Sequence, residues 1–164
     1  MAQVYVSIGS NIQRRKNIAI ALDLLEERFG ELQQSSVFES DAVGFDSAPF
    51  YNMVVGFMAD DSPRSLQAWL HQVEERSGRV RTASLSARTL DLDLLLYDDL
   101  VVNEDGLVIP REDIDRYAFV LYPLAEVAPD ARPPVSGSGY ADLWRAFEGE
   151  GGTSLVRVDW SSGR

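Results

Sequence analysis

The sequence predicts an α+β fold, and three observations carry that reading. Segments that alternate with period two flank segments with helical spacing, in the order strand, helix, strand, strand, helix, strand. Turn residues punctuate the joints at Gly9-Ser10-Asn11, at Gly30, between Gly44 and Pro49, and at Gly78. Several later connections are short enough for hairpins, which favours an antiparallel sheet over a doubly wound parallel one. Two helices interleaved with such strands are expected to form a ferredoxin-like sandwich, with both helices on one face of a mostly antiparallel sheet. The 164 residues suit a single domain spanning 1–164, and no internal repeat is visible.

Each element has its own justification. Gln3-Val4-Tyr5-Val6-Ser7-Ile8 alternates and reads as the first strand. Ile18, Leu22, Leu25 and Phe29 share one helix face, so a helix is expected over 16–29 with Gly30 as its C-terminal cap. Residues 32–39 read as a second strand, 40–49 as a loop, and the apolar run 50–58 as a buried strand. Ser62-Pro63 supplies an N-cap and a first helical residue, and Leu66, Trp69, Leu70 and Val73 form the stripe of the helix that follows. After a small polar stretch at 82–87 comes a strand through Asp91 and Asp93. Leu100-Val101-Val102 and Gly106-Leu107-Val108-Ile109 flank Asn103-Glu104-Asp105 as a hairpin. A short helix is expected near 111–117, an apolar segment over 119–127, a Pro/Gly/Ser-rich linker over 128–139, and a last short helix around Leu143, Trp144 and Phe147. Gly149–Arg164 is expected to be a loose tail.

Composition excludes several classes. The chain has no cysteine, so it holds no disulfide framework and no thiolate ligand or nucleophile. No apolar run reaches membrane-spanning length, and no signal-peptide pattern opens the chain, so a cytoplasmic location with no membrane partner is expected. A net charge of −11 argues against a nucleic-acid partner. Against that acidic background a local arginine cluster would draw an anionic ligand.

The chemistry concentrates in Arg88-Thr89-Leu90-Asp91-Leu92-Asp93-Leu94-Leu95-Leu96-Tyr97. In a strand, Leu90, Leu92, Leu94 and Leu96 share one face, while Asp91 and Asp93 share the other, roughly 7 Å apart at Cα. A solvated polar face would account for the alternation by itself. Gly78-Arg79-Val80-Arg81 and Arg88 lie just upstream, so Arg79, Arg81, Arg88, Asp91 and Asp93 form a matched set. Carboxylates hold hard cations such as Mg²⁺, and guanidiniums hold phosphate oxygens in bidentate pairs. Such a set points to phosphoryl transfer, with surface salt bridges as the plainer alternative.

At this point the chain resembles the 6-hydroxymethyl-7,8-dihydropterin pyrophosphokinase family. The matching pieces are Ile8-Gly9-Ser10-Asn11, Val43-Gly44, Phe50-Tyr51-Asn52, Gly78-Arg79-Val80-Arg81, Arg88-Thr89-Leu90-Asp91-Leu92-Asp93 and Ala118-Phe119-Val120-Leu121-Tyr122-Pro123-Leu124, covering roughly residues 3 to 130. The resemblance implies transfer of the β,γ-pyrophosphoryl group of ATP to the pterin hydroxymethyl oxygen, releasing AMP, in folate biosynthesis. It implies two Mg²⁺ ions on Asp91 and Asp93, with Arg79, Arg81 and Arg88 near the phosphates. It places Ser40, Asp41, Val43, Gly44, Phe50, Asn52 and Phe119 around the pterin, Asn52 by its amide and Phe119 by stacking. It places His71, Glu74, Leu94, Arg111 and Arg116 on the ATP side. A monomer is expected.

The departures from the family pattern cluster on the lids and the nucleotide side. The usual Trp-Gly-Pro before Arg88 is Leu85-Ser86-Ala87; the usual Pro-His is Pro110-Arg111; the usual arginine two residues before Phe119 is Tyr117, beside Arg116. The usual Pro before Val43-Gly44 is Ala42, and the usual Pro-Asp before Phe50 is Ala48-Pro49. These changes leave two alternatives open: a non-catalytic paralogue that binds a pterin or nucleotide, or a kinase of the same fold for another small alcohol.

Overall fold

The computed structural model describes residues 1–40, 49–77, 90–133, 138–147 and 155–160. Along the chain these form β1 (Ala2–Ser10), α1 (Arg14–Phe29), β2 (Gln33–Gln34), β3 (Val37–Ser40), β4 (Phe50–Ala59), α2 (Pro63–Arg76) and β5 (Asp91–Tyr97). There follow β6 (Val102–Glu104), β7 (Leu107–Ile109), α3 (Asp113–Arg116), α4 (Ala118–Val127), α5 (Tyr140–Arg145) and β8 (Val156–Val158).

The main sheet has the order β5-β1-β4-β3-β8, with β2 also on β4, and every pairing is antiparallel. Its centre is the β1–β4 ladder, unbroken from Ala2↔Ala59 to Ser10↔Tyr51. The first strand therefore runs past Ile8, because Gly9 and Ser10 still find ladder partners in Asn52 and Tyr51. Period-two alternation sends Ala2, Val4, Val6 and Ile8 to one face, with Met53, Val55, Phe57 and Ala59 of β4. Ile18, Ala21, Leu22 and Leu25 of α1 and Leu66, Leu70 and Val73 of α2 close that face. Ser62 caps α2 as expected, its hydroxyl accepting from the Ser65 N–H at 3.2 Å.

The second face is also covered. Val120, Leu121 and Leu124 of α4, Ile114 of α3 and Tyr140 of α5 pack over Val54, Leu95 and Leu96. Sequence pattern left 119–127 only as an apolar segment, because it is apolar nearly all round and carries Pro123 inside the helix.

The leucine stripe of β5 also ends early. The β1–β5 register pairs Val6 with Leu94 but Tyr5 with Leu96, so Leu95 is an extra residue. This irregularity resets the alternation: Leu90, Leu92 and Leu94 stay on the α1/α2 face, whereas Leu96 goes with Leu95 to the α4 face. Residues 32–39 are likewise two strands rather than one. Ser35 interrupts them, its hydroxyl accepting from the Val54 N–H at 2.9 Å. The hairpin turns on Asp105-Gly106, both at positive φ (48° and 80°), one residue later than expected.

The end of the chain corrects the expectation of a loose tail. Val156–Val158 pairs with β3, from Val37↔Val158 to Glu39↔Val156. Arg157 reaches Glu126 of α4 at 3.2 Å, and Arg15 of α1 donates to the Asp159 carbonyl at 3.0 Å. Among the described residues no helix is long and apolar enough to cross a membrane.

Candidate active site

Directly opposed residues of an antiparallel ladder share a face, so register assembles the site. Gly9 of β1 lies opposite Asp91 on one side and Asn52 on the other; Ser7 lies opposite Asp93 and Val54. Across β4, Asn52 lies opposite Phe38, and Phe50 opposite Ser40. Asp91, Asp93, Asn52, Phe50 and Ser40 thus stand on one face, the α4 face, beyond the stretch where α4 buries Leu95 and Leu96.

The two halves of this surface differ in burial. Asp91 and Asp93 are half-buried, whereas Ser40 and Asn52 are buried. The Asn52 amide Nδ2 donates to the Ser40 hydroxyl at 2.7 Å, which fixes the orientation of the amide. Between the halves, Gly9 keeps the surface open. A Cβ there would stand 3.1 Å from the Asn52 Oδ1 and 3.7 Å from the Phe50 ring.

Glu74 of α2 approaches from the opposite face. It is 4% exposed, and its Oε2 accepts from the Leu92 N–H at 2.8 Å. A buried carboxylate is stable only with such partners. Glu74 therefore ties α2 to the backbone midway between Asp91 and Asp93, and it is not the exposed helix residue that its surroundings in sequence suggest.

Arg111, just after β7, brings positive charge to the pair. Its Nη2 lies 3.5 Å from Asp93 Oδ1, and its Nε lies 3.5 Å from Asp113 Oδ2. Phe119, on the first turn of α4, is half-buried and stacks on Tyr117 at 4.9 Å with 15° between planes. The Arg116 guanidinium sits 5.3 Å from the Tyr117 ring centre. Sequence reasoning missed Asp113 and the stacking role of Tyr117; the only signal for either is proximity to Arg111 and Phe119 in the chain.

Two expected residues stand apart. Leu94 is buried in the α1/α2 core, on the face away from the carboxylates. His71 is exposed on α2. Asp41, Val43, Gly44, Arg79, Arg81 and Arg88 lie outside the described residues. A cavity of about 400 Å³ lined by Gln13, Arg14, Arg15, Lys16 and Tyr51 does not contain the carboxylates. Tyr51 alternates with Asn52 and packs on the α1/α2 core, so that cavity opens elsewhere.

The donor set suits a hard cation held jointly with a ligand. Among the described residues there is no group of three or more acidic, His or Cys side chains placed for a metal. Asp91 and Asp93 are half-buried oxygen donors two residues apart on one face of β5. Mg²⁺ typically takes one or two carboxylates and completes its shell with waters and phosphate oxygens. Two carboxylates beside an arginine fit that chemistry.

Known proteins resemble this chain in sequence and in fold. Residues 5–129 match the family model described as 7,8-dihydro-6-hydroxymethylpterin-pyrophosphokinase (HPPK). The chain is 38% identical over 154 residues to a 2-amino-4-hydroxy-6-hydroxymethyldihydropteridine pyrophosphokinase of Pseudomonas aeruginosa, covering 91% of this chain and 94% of that one. It is 35% identical over 138 residues to the protein of the same name from Aquifex aeolicus, covering 82% and 86%. In fold it is similar to the crystal structure of wild-type Plasmodium falciparum HPPK-DHPS, with a TM-score of 0.71 and 13% identity. That match covers 88% of this chain but 44% of the other, so the chain spans less than half of that protein. With a matching family model over most of its length and relatives matched nearly end to end, the chain belongs to the 7,8-dihydro-6-hydroxymethylpterin-pyrophosphokinase family.

Proposed function

We propose that this chain transfers pyrophosphate from ATP to 6-hydroxymethyl-7,8-dihydropterin, giving AMP and the pterin diphosphate in folate biosynthesis. The observation that carries the reading is one sheet face with half-buried Asp91 and Asp93 at one end and the buried Asn52–Ser40 pair at the other. In the reaction the hydroxymethyl oxygen bonds to the β-phosphorus and gives up its proton to solvent, the bond from that phosphorus to the oxygen bridging the α-phosphorus breaks, and AMP leaves with that oxygen.

The chain's residues divide this work. Asn52, held by Ser40, offers a fixed amide edge to the heterocycle, and Phe119 offers an aromatic face. Asp91 and Asp93 would hold two Mg²⁺ ions. Bound there, the ions would offset phosphate charge and orient the two oxygens for in-line transfer. Arg111 and Arg116, with Arg79, Arg81 and Arg88, are assigned to the phosphates, where guanidinium forks match the oxygens. Asp41, Val43 and Gly44 complete the pterin wall in this reading, while Glu74 supports the carboxylate strand from its other face and Leu94 and His71 take no part.

The same reading takes the chain as one monomeric domain acting in the cytoplasm. The β5-β1-β4-β3 order, with α1 and α2 as the connections on one face, supports the ferredoxin-like description.

The test is to incubate the protein with ATP, Mg²⁺ and the pterin and to quantify AMP and pterin diphosphate. Equal amounts of both are expected, and Asp93→Asn is expected to lower turnover by at least about 100-fold, the scale seen when one group stabilising transition-state charge is removed. Tyr117 and Leu85-Ser86-Ala87, which replace usual site residues, favour the second reading of a binding paralogue. Pterin binding without either product would establish that second reading.

A further inference from the structure

Arg111 is anchored at its backbone and loosely held at its head. Its N–H donates to the Leu95 carbonyl at 3.1 Å, at the irregular residue of β5, and its own carbonyl accepts from Ile114 at 3.2 Å. The guanidinium, by contrast, touches Asp93 and Asp113 only at 3.5 Å each. Charge-assisted bonds of this type normally close to about 2.7–2.9 Å. The buried Nε has no hydrogen-bond partner among the described residues. All three side chains keep about a third of their surface exposed (35% for Arg111, 34% for each aspartate), so the head has room to turn.

Contacts this loose on a partly exposed head leave it able to change partners. The observed head balances the charge of Asp93 without engaging it fully, and a guanidinium so placed is matched to phosphate oxygens. We propose that Arg111 is an exchangeable counter-cation. It neutralises Asp93 in the ligand-free chain, then yields that carboxylate to a divalent cation as a triphosphate enters, and turns onto a phosphate oxygen. Asp113 is the positioning residue that keeps the head within reach. This inference rests on the reading of Asp93 as a cation ligand.

The proposal predicts opposite signs for two affinities. The probes are Mn²⁺ alone, followed by its free electron paramagnetic resonance signal, and α,β-methylene ATP, followed by calorimetry. Both are applied to the full chain and to R111Q, D93N and the double variant. R111Q is expected to tighten Mn²⁺ binding about two- to fivefold, the scale of a partly exposed ion pair, and to weaken the nucleotide. In the D93N background R111Q is expected to leave Mn²⁺ binding unchanged. R111K, which keeps the charge but loses the fork, covers the case in which R111Q fails to fold, and is expected to tighten Mn²⁺ by less. Unchanged or weaker Mn²⁺ binding in R111Q and R111K, with D93N still impaired, overturns the exchange and leaves Asp93 a ligand. Mn²⁺ binding indifferent to D93N refutes the reading of Asp93 itself, and the exchange falls with it.

Discussion

At the scale of single residues, the site depends on neighbours that keep functional groups in one orientation. Asn52 can present both a donor and an acceptor, and the 2.7 Å bond to Ser40 decides which points where. Removing the amide in a buried position costs about 1–3 kcal/mol of interaction, or roughly 5- to 150-fold in affinity. Asn52→Ala is therefore expected to raise the pterin KM on that scale while leaving the ATP KM nearly unchanged; steady-state kinetics with each substrate varied checks it. Gly9 belongs to the same argument, since a Cβ there would press on Asn52 Oδ1 at 3.1 Å. Glu74 is the structural counterpart below the carboxylates. Glu74→Ala would leave the Leu92 N–H buried without its acceptor, a loss of about 1–3 kcal/mol. Glu74→Gln keeps an acceptor oxygen and is expected to lose less. Urea denaturation of the two variants gives the ordering.

Elements set the site by register rather than by loops alone. β1 lies between the two halves of the site, and its pairings put Gly9 level with both Asp91 and Asn52. The extra residue at Leu95 ends the leucine stripe and lets α4 cover Leu95 and Leu96 while Asp91 and Asp93 stay half-buried. The edge strand β8 has a supporting role. It covers Val37–Glu39 of β3, and Arg157 links it to Glu126, a residue that also accepts from the Ser36 N–H. A chain ending at Phe147 is expected to lose about 1–2 kcal/mol, from cross-strand pairs and one partly exposed ion pair, with a drop in Tm of about 5 °C. Pterin binding is expected to persist, because Ser40 lies beyond the β3–β8 pairing. Calorimetry and a pterin titration on the shortened chain test both statements.

Across the whole molecule, one sheet serves two cores. Residues of β1, β4 and β5 alternate between the α1/α2 layer and the α4/α5 layer, so neither layer can lose its packing without exposing the shared strands. Unfolding is expected to be a single transition. Trp69 reports on the first layer and Trp144 on the second. Single-tryptophan variants retaining one or the other should melt together, and separated midpoints would divide the domain.

The sequence by itself determined what short-range periodicity and capping encode. It placed α1 and α2, the long central strands, the Ser62 cap and the common face of Asp91 and Asp93, because each depends on residues within a few positions of one another. The motifs that carry the family resemblance are local in the same sense. Tertiary structure decided the rest. Whether Leu96 joins its stripe depends on a register shift against β1, which no alternation within 90–97 reveals. The burial of Glu74, the approach of Arg111 to Asp93 and the pairing of β8 with β3 join residues far apart in the chain. Such contacts are set by how the helices and strands pack, and local pattern carries no information about them.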